Sequence, residues 1–285
     1  MDGEQHPSEA EAVHGTVVAG LDGSAESRAA ADWAAREAVR RGASLTLLHA
    51  VEPTVGRWAD APPPGVPGEG PTAVVADELR DTYPALSVSP DEAAGQALPV
   101  LFAAADDADL VVLGSRGTGA VEGFLLGSVA LNVAGQAPVP VVLVRSAEES
   151  GGAVSGEVVV GLDLAGPGDA VLAFAFGAAA RANVPLRVVH GGDPEGHPAG
   201  GEAHADALER ALSPWREKYP HTQVIDEAVV GTADRHLLDV SSGAGLLVIG
   251  RRVDRSRLAP HIGAVAHTLL HHARVPVAVV PHEGP

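Results

Sequence analysis

The sequence predicts an α/β fold built as two tandem, doubly wound parallel sheets. Short runs that are apolar at almost every position recur along the chain, alanine-rich stretches of helical length follow the first run of each half, and the whole order of segments occurs twice. A run with no polar alternation is buried on both faces, the condition of a parallel strand covered by helices on each side. Strand–helix–strand crossovers share one hand, so such units wind into an open layer. At 285 residues the chain has room for two domains, each with its own core.

The first strand is Thr16-Val17-Val18-Ala19-Gly20-Leu21-Asp22, an apolar run that stops at a carboxylate. Residues 28–41 are alanine-rich and predict a helix. Leu45-Thr46-Leu47-Leu48-His49 predicts a second strand, ending in histidine. Pro53 to Pro71 contains Pro62-Pro63-Pro64 and predicts a solvated loop. Asp109 to Gly114 and the run Val139-Pro140-Val141-Val142-Leu143-Val144 complete the first set, with Asp106, Asp107 and Asp109 read as solvated charges at a helix end. The second set answers it in the same order: Val158 to Asp163, a helix over 170–182, Leu186 to His190, Gly245 to Gly250, and Val275 to Val280. Five matched segments in one order indicate duplication of a domain-sized unit. The expected domains are 13–146 and 157–281, separated by a polar, glycine-rich linker over 147–156.

Composition removes several classes of function. The formal net charge is -18, with 37 acidic against 19 basic residues, which disfavours nucleic-acid backbones and anionic membranes as partners. Cysteine is absent, so there is no thiolate metal site or cysteine nucleophile. Lys218 is the only lysine and follows no glycine loop, which excludes a Walker-type NTPase. Residues 1–14 have neither a basic start nor an apolar core, and no apolar run reaches membrane-span length, so the expected location is the cytoplasm.

The segment that carries chemistry follows the strand ending at Gly114. It reads Gly114-Ser115-Arg116-Gly117, continues through nine residues from Thr118 to Leu126, and closes on Gly127-Ser128 before an apolar helix beginning with Val129. Glycine at Gly114 and Gly117 allows close approach and positive φ. Gly127-Ser128 at a helix start offers N–H groups, a hydroxyl and the positive end of the dipole, a seat for phosphate. Arg116 could add a charged contact.

This spacing of glycines and serine resembles the ATP-binding pattern of the universal stress protein family. The resemblance spans Val13 to Pro281 as a tandem pair and includes the strand end Gly20-Leu21-Asp22-Gly23-Ser24, the Leu48-His49-Ala50 run and the last proline-valine strand. It implies a Rossmann-like, five-stranded sheet of the adenine nucleotide α-hydrolase type in each half, with the halves packed through their last strands as a pseudo-dimer. It also implies that Asp22 lies by the adenosine, that the main chain at Ala50 reads the adenine edge, and that Gly114 runs along the ribose. Gly117, Gly127, Ser128 and Val129 would hold the phosphates of ATP, accompanied by Mg²⁺.

The second copy departs from the pattern: Gly250-Arg251-Arg252-Val253, then nine residues, then Gly263-Ala264. Valine at a position needing positive φ is strained by about 1–2 kcal/mol, and Ala264 lacks the hydroxyl of Ser128. Arg251 and Arg252 offer charge in compensation, but the second half is expected to have lost tight ATP binding.

No catalytic set and no metal site is assigned. His267 and His271 are four apart on an expected helix, with His272 adjacent, but no third zinc ligand is fixed, so they read as solvated. His49 and His190 end matched strands and read as structural. Trp33 and Trp215 suit helix faces and read as packing. The expected function is an ATP-binding stress-response or signalling module with a protein partner to be identified, and further homodimerisation is open. A slow ATP hydrolase or adenylating enzyme of the same fold, and a nucleotide-free interaction protein, are the alternatives.

Overall fold

The computed structural model describes residues 15–52, 70–115, 126–145, 156–164, 166–191, 202–229, 232–253 and 262–283. The first half runs β1 (Thr16–Gly20), α1 (Ala25–Arg41), β2 (Ser44–Val51), α2 (Pro71–Thr82), β3 (Val88–Ala94), α3 (Ala97–Asp106), β4 (Leu110–Gly114), α4 (Ser128–Gln136) and β5 (Val141–Val144). The second runs β6 (Val158–Leu162), α5 (Asp169–Ala182), β7 (Leu186–His190), α6 (Glu202–Lys218), β8 (Val224–Ala228), α7 (Ala233–Val240), β9 (Leu246–Val253), α8 (Ala264–His272) and β10 (Val277–Glu283).

The strands form one sheet in the order β3-β2-β1-β4-β5-β10-β9-β6-β7-β8. Within each half every neighbouring pair is parallel. The halves meet where β10 pairs antiparallel with β5, Leu143 opposite Val277 and Val141 opposite Val279. The two five-stranded sheets are therefore one continuous layer. Chain order reverses between β1 and β4 in the first half, and between β6 and β9 in the second.

Alternate strand residues face opposite sides, which explains why the central strands need apolar residues throughout. Val17, Ala19, Val142 and Val144 pack with Ala278, Val280 and the helices α1, α2, α5 and α6. Val18, Val141 and Leu143 pack with Val277, Val279 and the helices α3, α4, α7 and α8. Each core crosses the joint without interruption. Trp33 lies in the first of them and Trp215 packs against it, stacked on Phe176 at 6.2 Å, as their helix positions suggested.

Two sequence expectations need correction. Pro71 is the first residue of α2 and not the end of a loop: proline suits a first helical turn, where its missing N–H has no intrahelical partner; residues 53–69 lie outside the described part. Asp109 is not a merely solvated charge, because its Oδ2 accepts the Thr16 N–H at 2.7 Å and ties β4 to the start of β1.

An ion network also crosses the joint. Glu37 on α1 is buried, and its Oε1 accepts from Arg41 Nε at 2.7 Å and from Arg181 Nη2 of α5 at 3.1 Å. Arg40 Nη1 stands 3.7 Å from the other oxygen. Burial pulls the Arg41 guanidinium below its ordinary pKa, with Glu37 acting against that shift.

Candidate functional site

In an open parallel sheet the ligand crevice lies beyond the carboxyl ends of the strands, where strand order reverses. Here that point falls between the ends of β1 and β4. Gly20 closes β1, and Leu21 after it is buried and donates its N–H to the Leu48 carbonyl at 2.8 Å. His49 Nδ1 donates to the Leu21 carbonyl at 2.7 Å, strapping β1 to β2 in the structural role its position suggested. Ala50 follows on β2, opposite Ala93 of β3.

Asp22 is exposed at the crevice and organises the start of α1. Its Oδ1 accepts from Ser24 N at 3.0 Å and Ser24 Oγ at 2.6 Å. Ser24 then caps the helix, its Oγ accepting the Ser27 N–H at 3.1 Å. Ser27 Oγ accepts the Asp22 N–H at 3.3 Å, closing the turn. Ser24 stood in the strand-end pattern without a role and Ser27 was missed, although a serine two residues after a strand-ending aspartate and just before an alanine-rich run signals an N-cap.

Gly114 differs from expectation. Its φ is not positive; among the described glycines that conformation belongs to Gly15, Gly23, Gly42, Gly95 and Gly243. A Cβ on Gly114 would stand 2.8 Å from the backbone carbonyl carbon of Glu26 and 2.8 Å from the Ser27 nitrogen. The missing side chain admits the first turn of α1 to the end of β4, so the two sides of the crevice touch through backbone.

Arg116 and Gly117 lie outside the described residues. The ends of their segment are joined, because Gly127 donates its N–H to the Ser115 carbonyl at 2.8 Å, and Ser115 donates its own to Val144 at 2.8 Å. Gly127 is the N-cap of α4, extended at φ -75 and ψ 147, with no side chain capping the helix. Ser128 and Val129 therefore begin α4 in its first turn, where backbone N–H groups have no intrahelical acceptor. Ser128 is a first-turn residue and not the cap, and its hydroxyl caps nothing. Ser115 was missed by sequence reasoning: its hydroxyl is buried, with no hydrogen-bond partner among the described residues. Orphaned polar atoms in a buried position call for a partner. An uncapped helix start beside an orphaned hydroxyl fits an oxyanion-bearing ligand. For a metal ion the fit is poorer, because no group of three or more His, Asp or Glu side chains converges among the described residues.

The second half is built differently at the matching place. Where the first half leaves β4 at Gly114, β9 continues to Val253, with Arg251, Arg252 and Val253 paired to Pro281, His282 and Glu283 of β10. Val253 is thus in extended strand backbone and carries no left-handed strain; the strain expected there is relieved by the chain taking another course. The space above Gly250 is occupied, a Cβ there meeting the His282 ring at 3.0 Å and Val171 at 3.1 Å. Arg251 does not compensate by facing that crevice. It is buried and donates from Nη2 to the Ala137 carbonyl of the first half at 2.5 Å. His190 is also paired differently from His49: its Nδ1 lies 2.7 Å from His204 Nε2 on α6, and burial with the neighbouring His204 lowers its pKa. The His267 and His271 rings lie 4.4 Å apart on α8, tilted by 37°.

Among the described residues, no helix is long and apolar enough to cross a membrane. The sequence pattern of the universal stress protein family matches residues 14–145 and again 156–281. A universal stress protein of Mycobacterium tuberculosis is 34% identical over 290 residues, covering 93% of this chain and 96% of its own. One from Mycolicibacterium smegmatis is 30% identical over 283 residues, covering 93% and 96%. The crystal structure of a universal stress protein from Archaeoglobus fulgidus shares the fold at 15% identity, with a TM-score of 0.63 over 93% of this chain and 98% of that one.

Proposed function

This chain belongs to the universal stress protein family, and we propose that it is a nucleotide-responsive module whose first half holds one adenine nucleotide, ATP foremost, in a cytoplasmic stress-response or signalling role. The observation that carries the reading is the junction between β4 and α4. There the chain leaves the sheet at the switch point, keeps a buried hydroxyl at Ser115 without a partner among the described residues, and returns to an uncapped helix start at Gly127-Ser128. The N–H groups of that first turn and the helix dipole suit phosphate oxygens, and a lysine is not required.

The residues would divide the work. Gly127, Ser128 and Val129 would present main-chain donors and one hydroxyl to the phosphates, with Arg116 and Gly117 of the intervening segment as further candidates. The main chain of Gly20, Leu21 and Ala50, with the Asp22 turn, would frame the nucleoside, and Gly114 would hold α1 against β4 so that the crevice keeps its width. Mg²⁺ would arrive on the phosphates and supply charge neutralisation between them. The second half, with its strand continued through Val253, is the half we infer to be without a nucleotide.

Calorimetric titration with ATP and Mg²⁺ tests this, beside Ser128→Ala and Gly117→Val variants. Both substitutions are expected to weaken binding by about tenfold or more, the equivalent of a lost charge-assisted hydrogen bond or a lost close approach. Binding unaffected by both would move the site elsewhere. ADP, AMP and a cyclic nucleotide in competition would rank the phosphate contacts.

A further inference from the structure

Arg251 takes in the second half the place that Ser115 takes in the first, directly after the matching glycine, Gly250 for Gly114. Its side chain is only 7% exposed and reaches across the joint to the Ala137 carbonyl. Ala137 is the C-cap of α4. The guanidinium therefore sits at the negative end of the one helix whose positive end opens beside Ser115 and Gly127. At nine residues, α4 is a rigid rod of roughly 13 Å, so fixing one end fixes the other. The helix has no basic residue in its own last turn, so this cation is supplied from outside.

The placement is costly. Arg251 makes no ion pair among the described residues, its Nε is buried without a partner, and burial depresses its pKa. A buried arginine without a counter-ion is a poor device for stability alone. A second arginine crosses the joint in the same manner: Arg145 donates to the carbonyls of Ala273 at 2.6 Å and His271 at 2.7 Å, at the end of α8 in the second half. These two arginines are not at matching positions in the repeat, so neither contact follows from the duplication itself.

We propose that Arg251 is a positioning residue for the phosphate seat, supplied by the second half to hold α4 of the first. The inference rests on the nucleotide reading above and adds that the second half contributes a residue to the seat of the first. A cation at the C-cap fixes α4 along its axis and aligns the first-turn N–H groups before any ligand arrives.

The test compares Arg251→Met and Arg251→Lys with Arg145→Met, which removes a cross-joint brace of the same kind at the end of α8. Two readouts are taken on the full chain: MgATP affinity by calorimetry, and amide hydrogen exchange across 128–136 without nucleotide. Arg251→Met is expected to weaken MgATP binding about tenfold and to speed exchange in α4, with Arg251→Lys between it and the unaltered protein. Arg145→Met is expected to lower stability while leaving affinity within about twofold. Equal weakening by Arg251→Met and Arg145→Met would mean general loosening and would overturn the proposal, as would full affinity in Arg251→Met. If the unaltered protein bound no nucleotide, the functional reading would fail by itself. Faster α4 exchange in Arg251→Met alone would then still establish the brace, and unchanged exchange would overturn it.

Discussion

Replacing Gly114 by alanine separates two reasons for a glycine at the end of β4. If the glycine serves only a ligand, alanine leaves the empty protein as stable as before. The geometry predicts otherwise. The added Cβ would lie 2.8 Å from the Glu26 carbonyl carbon and 2.8 Å from the Ser27 nitrogen, both backbone atoms in the first turn of α1. Backbone cannot swing aside as a side chain can, so α1 must shift by several tenths of an ångström. That turn holds the Ser24 cap and the Asp22 contacts, and the helix behind it buries Ala30, Ala31, Ala34 and Ala35 against the sheet. Overpacking of this kind costs about 1–3 kcal/mol, and each kcal/mol lowers Tm by roughly 2–4 °C for a chain of this size class. The assay is urea and thermal denaturation of Gly114→Ala without nucleotide. A midpoint equal to that of the unaltered protein would refute the close-approach argument and return the glycine to a purely ligand-facing role.

Three further outcomes follow from the same contacts. Ser24→Ala removes the only side-chain cap of α1 and should cost about 1 kcal/mol, read as a lower urea midpoint at unchanged slope. Glu37→Gln leaves Arg40, Arg41 and Arg181 converging on a neutral amide; because two of the three arginines are mostly buried, the loss should be about 2–3 kcal/mol, and an unchanged midpoint would show that the network contributes nothing. His190 gives a pH dependence: burial and His204 lower its folded pKa, so the unfolded chain binds the proton more readily. Its stabilising contribution is complete above the ordinary histidine pKa of about 6.5 and is lost as pH falls below it toward the lowered folded value. The urea midpoint should therefore drop on acidification through that range, and less steeply in His190→Gln; parallel pH curves for the two proteins would contradict the assignment.

The strands that could be read from the sequence are the central ones, and the reason is burial on both faces. Val17-Val18-Ala19 and Leu110-Val111-Val112 feed both cores at once, so no position in them can be polar. The edge strands escaped: β3 contains Pro90, Asp91 and Glu92, and β8 contains Asp226 and Glu227, because an edge is kept from pairing with other chains by such residues. At the site, the strand end at Gly114 and the helix start at Gly127-Ser128 were legible from glycine spacing. What Gly114 packs against was not, since the Glu26 backbone reaches it from 88 positions earlier in the chain. Arg251 was misread for the same reason: its charge suggested a ligand, while its partner, the Ala137 carbonyl, belongs to the other half. Local spacing reports local geometry, and contacts across the joint leave no local trace.

How many nucleotides one chain holds, and in which half, is the most direct measure of the proposed function. Native mass spectrometry of the full chain with MgATP measures the first, and repeating it on Ser128→Ala assigns the second. One nucleotide per chain, lost or greatly reduced in Ser128→Ala, is the predicted result. Two per chain would show that the half with β9 extended through Val253 also binds, and none would contradict the nucleotide reading altogether.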